Sequence, residues 1–246
     1  MKLGTMATLV GAWLGMALVG CRSATTEVTQ GAGVDGQAVA ERPGAGNRPV
    51  VLNYKDERER QALLGLTYTA GRVGVDPVEA SLRVGAVDGA RAAVEFEQGL
   101  AQIRRNATLA GLASHTRAVL LDPEEARMYE GLGDALRVAR LETRAEAAYR
   151  TGLGLEPSAL MHIKLAEMLW MRAAREPAIE HALQAIAFDA TSERASANLA
   201  RWYYFTGAYG RAWKYVHRCE ALGVPLPSQF RPLLASHMLE PSSAPR

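Results

Sequence analysis

His115, His162, His181, His217, His237, Cys21 and Cys219 are the side chains of this 246-residue chain best suited to nucleophilic or metal chemistry. A hydrolytic zinc helix needs two histidines four residues apart with a glutamate between them, and a redox or zinc loop needs paired cysteines; neither H-E-x-x-H nor C-x-x-C occurs. His162 and His181 are placed to face each other within one helical pair, where packed or solvated rings are expected rather than metal ligands. Gly152-x-Gly154 follows a helical stretch instead of a strand and lacks a third glycine, so it is no dinucleotide loop. No catalytic residue, metal site or cofactor is expected, and the chain is not read as an enzyme. A formal net charge of +2 supplies no strong field toward nucleic acid.

Cys21 carries a different chemistry. Lys2 is followed by an apolar stretch from Met6 to Val19. As a helix it would span about 21 Å, short of the ~30 Å hydrocarbon core, which suits an export signal over residues 1–20 better than a membrane-spanning segment. Leu18-Val19-Gly20-Cys21 then resembles the bacterial lipobox. That resemblance implies cleavage before Cys21, a diacylglycerol on its thiol and an acyl chain on the new amine. Two or more chains anchor stably where one does not. Residue 22 is Arg instead of the Asp that favours inner-membrane retention in enteric-type lipoproteins, so the resemblance implies an outer-membrane anchor facing the periplasm. With Cys21 acylated, Cys219 has no partner in its own chain, and a disulfide framework is excluded.

Residues 21–48 comprise the lipidated cysteine and a flexible linker rich in Gly, Ala, Thr and Gln. Such a segment buries too little surface to offset its ordering entropy, and its reach is roughly 30 Å. Beyond it, three columns recur. Leu132, Leu165 and Leu199 stand 33 and 34 residues apart, as do Ala145, Ala178 and Ala212, while Pro123 and Pro157 stand 34 apart. Tyr129-x2-Leu132-Gly133-x2-Leu136, then Ala145-x3-Tyr149 and Pro157, gives the clearest unit. This resembles the tetratricopeptide repeat (TPR), a 34-residue pair of helices. The resemblance implies an all-α helical-pair solenoid, a right-handed superhelix, with about four repeats over residues 92–226. Gly133, Ala166 and Ala200 would be small because the paired helix crosses close by, and Cys219 would be a small buried hydrophobe. Gly207 and Asn106 would take left-handed turns between helices.

Residues 49–91 are expected as a helical cap or degenerate repeat, with one helix from Glu57 to Tyr68 and another from Pro77 to Val84. Pro225 and Pro227 should stop the last repeat. Ser228 should cap a short helix within residues 227–240 bearing Phe230, Leu233 and Leu234, and residues 241–246 should form a disordered tail.

In TPR proteins the first helix of each pair lines a concave groove. Carried onto this chain, that geometry gives Phe96, Arg137, Glu167, Trp170, Met171, Arg201, Tyr204 and Phe205 as the partner-binding groove. The Lys/Asn clamp of TPRs that hold chaperone C-termini is absent; Glu130, Asp134, Ile163, Glu167 and Ala197 stand at its places. The implied partner is a protein offering a helical or extended apolar segment, with the membrane engaged through the lipid alone and no nucleic acid. The architecture is similar to pilotin-type TPR lipoproteins, which implies a periplasmic scaffold for an outer-membrane secretin, pilus or secretion complex. An adaptor for peptidoglycan or polysaccharide machinery is the alternative.

Overall fold

A computed structural model describes residues 54–241. The array consists of four helical pairs: α3 (Gly89–Arg104) with α4 (Thr108–Leu121), α5 (Ala126–Val138) with α6 (Glu142–Leu155), α7 (Ala159–Met171) with α8 (Arg175–Phe188), and α9 (Glu193–Phe205) with α10 (Tyr209–Ala221). Helices pack antiparallel within each pair, and each second helix packs on the first helix of the next pair.

The recurring columns explain why. Leu132, Leu165 and Leu199 are fully buried, as are Ala145, Ala178 and Ala212. A Cβ on Gly133 would lie 2.5 Å from the Tyr149 ring, so the crossing of α5 and α6 leaves no room for one. Truncating a buried leucine of such a column costs about 2–5 kcal/mol.

The turns repeat as faithfully as the core. Asn106, Arg140, Ala173 and Gly207 have φ of 61°, 62°, 61° and 75°. The next N–H in each case donates back to a carbonyl five residues earlier: Ala107 to Gln102, Leu141 to Leu136, Ala174 to Leu169 and Ala208 to Tyr203, at 2.8–2.9 Å. This closure satisfies the carbonyls left open at a helix end. Asn106 and Gly207 behave as their residue types suggest. Arg140 and Ala173 are held left-handed by the closure despite carrying a Cβ.

The N-terminal segment departs from the expected helix over Glu57–Tyr68. After α1 (Glu57–Ala62), Gly65 at φ 94° turns the chain into β1 (Leu66–Thr69), which pairs antiparallel with β2 (Arg72–Val75). Leu66 faces Val75 and Tyr68 faces Val73 across the ladder. Ala70 and Gly71, both at positive φ, make the two-residue turn that a twisted hairpin favours. Alternating buried positions in Leu66-Thr-Tyr-Thr, set beside that turn, outweigh the helical echo in Leu63-Leu64-Gly65. Helix α2 (Pro77–Val84) forms where expected, N-capped by the Asp76 carboxylate.

These elements do not extend the stack as another repeat. Helices α1 and α2 pack on α4, and β2 packs on α6, so the segment lies along the second helices of the first two pairs. The Val73 N–H donates to Thr151 Oγ1 at 2.8 Å. Glu59 of α1 meets Arg144 of α6 at 2.9 Å, with both side chains nearly sealed from solvent. The Arg144 guanidinium also lies over the Tyr54 and Tyr68 rings, at 4.7 and 5.7 Å.

At the other end, α10 stops before either proline. Gly223 at φ 71° ends it, and the Val224 N–H closes onto the Cys219 carbonyl at 2.8 Å. Helix α11 (Phe230–His237) follows, with Gln229 instead of Ser228 at the N-cap and no side-chain cap. Phe230 and Leu234 are buried and Leu233 is exposed. The Trp213 Nε1–H donates to the Met238 carbonyl at 2.9 Å, and Arg231 pairs with Glu220 and Glu240. Helix α11 thus covers the end of the last pair. No helix among the described residues is long and apolar enough to cross a membrane.

Candidate functional site

Positions three and four apart share a helix face. Glu167, Trp170 and Met171 meet this condition on α7, as do Asn198, Arg201, Trp202 and Phe205 on α9. These two faces belong to first helices of consecutive pairs, and together they line a cavity of about 300 Å³. The indoles of Trp170 and Trp202 stack at 4.9 Å with planes 11° apart, and the Phe205 ring lies 6.5 Å from Trp170.

The polar wall is internally bonded. Arg194 holds both Glu167 oxygens, and Asn198 donates to Glu167 Oε1 at 2.9 Å. Arg201 donates to Asn198 Oδ1 and to the Ala197 carbonyl. Asn198 therefore ties the acid of one repeat to the base of the next. Met171 and Phe205 remain 78% and 63% exposed, so packing of the repeats does not consume them.

A second cavity of about 390 Å³ adjoins the first. Arg137, Val138, Arg140 and Glu142 line it from the α5–α6 turn, opposite Met168 and Met171 of α7. Met171 borders both spaces. Of the expected groove residues, Arg137, Glu167, Trp170, Met171, Arg201 and Phe205 are thus brought to one continuous surface.

Phe96 and Tyr204 line neither cavity, although the Tyr204 ring meets Phe205 edge-on at 5.4 Å. Phe96 is 6% exposed and buried at the junction of α3, α4 and α5. Its ring meets His115 edge-on at 5.2 Å and is roofed by the Arg127 guanidinium at 4.2 Å. Glycines on the neighbouring turns explain the placement. A Cβ on Gly131 would lie 2.5 Å from the Phe96 ring, so the aromatic fills volume that glycine vacates. Tyr204 stands at the Trp170 position of the next repeat, yet α11 occupies the space beside it. Its ring contacts Tyr209, Phe230 and His237, and its hydroxyl is 3.4 Å from His237 Nε2.

Asn198, Trp202, Val138, Arg140, Glu142 and Met168 line the cavities besides the expected residues. Trp202 falls 34 residues after Met168, in a column that reads as core, and its i, i+4 relation to Asn198 was the available signal. Cys21 lies outside the described residues, as do the export signal, the linker and residues 242–246.

Two histidine sites lie elsewhere. The Nδ1 atoms of His162 and His181 are 3.0 Å apart, and His162 stacks on Phe188 at 5.5 Å. At that distance one Nδ1 must donate and the other accept; burial lowers the pKa of both, and for His162 the neighbouring ring adds to it. No group of three potential ligands surrounds a metal position among the described residues. His115 is fully buried with neither ring nitrogen bonded, and burial pulls its pKa down to about 4. Cys219 is buried, which raises its thiol pKa.

No protein-family model and no curated protein matches the sequence. Solved structures do match the fold. One crystal structure of MamA protein covers 62% of this chain and 86% of its own at 17% identity, with a TM-score of 0.54. A second, of MamA, covers 54% and 78% at 20% identity, with a TM-score of 0.51. A structure from the functional characterization of Pseudomonas aeruginosa pilF overlaps 61% of this chain and 66% of its own at 19% identity, with a TM-score of 0.49. Four helical pairs with identical turn closure, overlapping TPR structures along most of their length, make this fold a TPR helical-pair solenoid with a C-terminal capping helix.

Proposed function

We propose that this chain is a lipid-anchored scaffold of the cell envelope, held at the outer membrane through Cys21, that docks a segment of a partner protein in the α5–α7–α9 groove. Its place would be in assembling a secretin, pilus or secretion complex. The observation that carries the docking role is the pair of cavities joined at Met171, whose exposed apolar side chains the repeat core leaves unused. Interface hot spots are enriched in such aromatic anchors with arginine beside them. The lipid anchor rests on the Leu18-Val19-Gly20-Cys21 sequence.

A photo-crosslinking residue at Met171 in cells, followed by identification of what it captures, tests the docking role. Capture of a secretin or pilus component supports the assembly reading; capture of a peptidoglycan or polysaccharide enzyme would replace it. Loss of capture in Phe205→Glu at unchanged helicity is expected. Cys21→Ser should move the protein from the membrane fraction to the soluble one, and membrane retention would refute the anchor.

A further inference from the structure

The charges around the groove are unbalanced. Its inner carboxylates are already engaged: Glu130 and Asp134 share Lys164 at 2.7 and 2.6 Å, and Glu167 is held by Arg194. The cations that are bonded hold only neutral partners: Arg201 donates to Asn198 Oδ1 and the Ala197 carbonyl, and Arg137 to the Tyr149 hydroxyl. Arg137, Arg140 and Arg201 line the two cavities, and none has a carboxylate within salt-bridge distance among the described residues. Arg175 lies beside them, 5.8 Å over the Trp170 ring, also without a carboxylate partner. Glu142 is the lining acid left unpaired, and it sits in the first turn of α6, where the helix dipole offsets its charge. The surface therefore presents excess guanidinium around a floor of Trp170, Met171 and Phe205.

The geometry points to a partner segment of defined chemistry: an acidic peptide in which aspartate or glutamate flanks a large apolar side chain. This deepens the docking reading and rests on it. The apolar residue would enter the cavity beside Trp170 and Trp202. Its flanking carboxylates would meet Arg201 on one side and Arg137 with Arg140 on the other. Guanidinium binds carboxylate bidentately and stacks on aromatic faces, so both halves of the recognition use one residue type. Met171, unbranched and polarizable, stands between the two cavities and adapts to what fills them.

The test is selection of a random dodecapeptide library on the immobilised full-length protein, followed by affinity measurement of the recovered peptides. Recovered sequences should carry Asp or Glu within a few positions of an aromatic or large aliphatic residue. Their affinity should fall on the order of 10-fold in Arg137→Glu/Arg201→Glu and again on raising salt from low to physiological strength. The charge-reversed variant should in turn select peptides bearing Lys or Arg. Peptides with no acidic enrichment, whose binding is nonetheless lost in Met171→Glu/Phe205→Glu, would overturn the acidic specificity and keep the groove. Peptides that bind both variants as well as the native chain would overturn groove and specificity together, and so would failure to select any peptide. Circular dichroism of both variants checks that helicity is retained.

Discussion

Acid should loosen this solenoid at one identifiable ring. His115 sits in α4 against Phe96, and a Cβ on Gly99 or Gly131 would come within 2.6–2.7 Å of its imidazole. No polar atom bonds either nitrogen. Charging the ring there removes an ion from water and gives nothing in return, which is why its pKa falls to about 4 from 6.5. A depressed folded-state value means the unfolded chain binds the proton first. The neutral ring's contribution is complete above pH 6.5 and is lost as pH falls toward 4. Linkage over that window amounts to about 3 kcal/mol in full and about 2 kcal/mol by pH 5. The half-buried His162 and His181 shift in the same direction, so the readout is a difference of differences. Urea unfolding of the native chain and of His115→Leu at pH 7.5 and pH 5 should show the native chain losing about 2 kcal/mol more than the variant. An equal acid loss in both proteins would refute the reasoning, because a solvated or hydrogen-bonded His115 predicts that result.

The left-handed turns give a paired prediction. Ala173→Gly should stabilise by about 1 kcal/mol by relieving its left-handed Cβ, and Gly207→Ala should destabilise by about as much, both read from denaturant midpoints. Gly131→Ala should lower stability by roughly 1–3 kcal/mol despite alanine's better helix propensity, since the added carbon meets Phe96 and His115 inside packed core; an unchanged thermal midpoint would contradict the close crossing. Met171→Glu should leave stability within about 0.5 kcal/mol by the same assay, because its side chain is exposed and makes no core contact.

The repeat array was legible because its determinants are local. One leucine column, one alanine column and a pair of prolines recur at 33 or 34 positions, and each repeat reuses the same contacts, so spacing alone reports the packing. The hairpin was not, because Leu63-Leu64-Gly65 imitates a first helix, while the decisive pairing of Leu66 with Val75 and Tyr68 with Val73 follows a turn made partly by an alanine. Groove assignment divided along similar lines. Glu167, Trp170, Met171, Arg201 and Phe205 reach one cavity wall because the helical phase carries over from α7 to α9. Phe96 and Tyr204 share that first-helix setting, but their fate depends on neighbours far along the chain: glycine at 131 draws the first inward, and α11 shelters the second. The column 137, 170, 204 shows this directly. Its arginine lines a cavity, its tryptophan stacks across to the next repeat, and its tyrosine meets the capping helix.

The N-terminal segment grips α4 and α6, while α11 closes on the last pair; neither packs extensively on the α7–α8 pair among the described residues. The connections on either side of that pair leave their helices by one N–H donating to a carbonyl four residues earlier, Glu156 to Gly152 and Asp189 to Ala185, as Asp122 does to Ala118 after α4. Duplicating or deleting a 34-residue unit there would leave each terminus with its own contacts intact. The array is in effect extensible between two fixed caps, and inheritance can change the length of its groove without redesigning either of them.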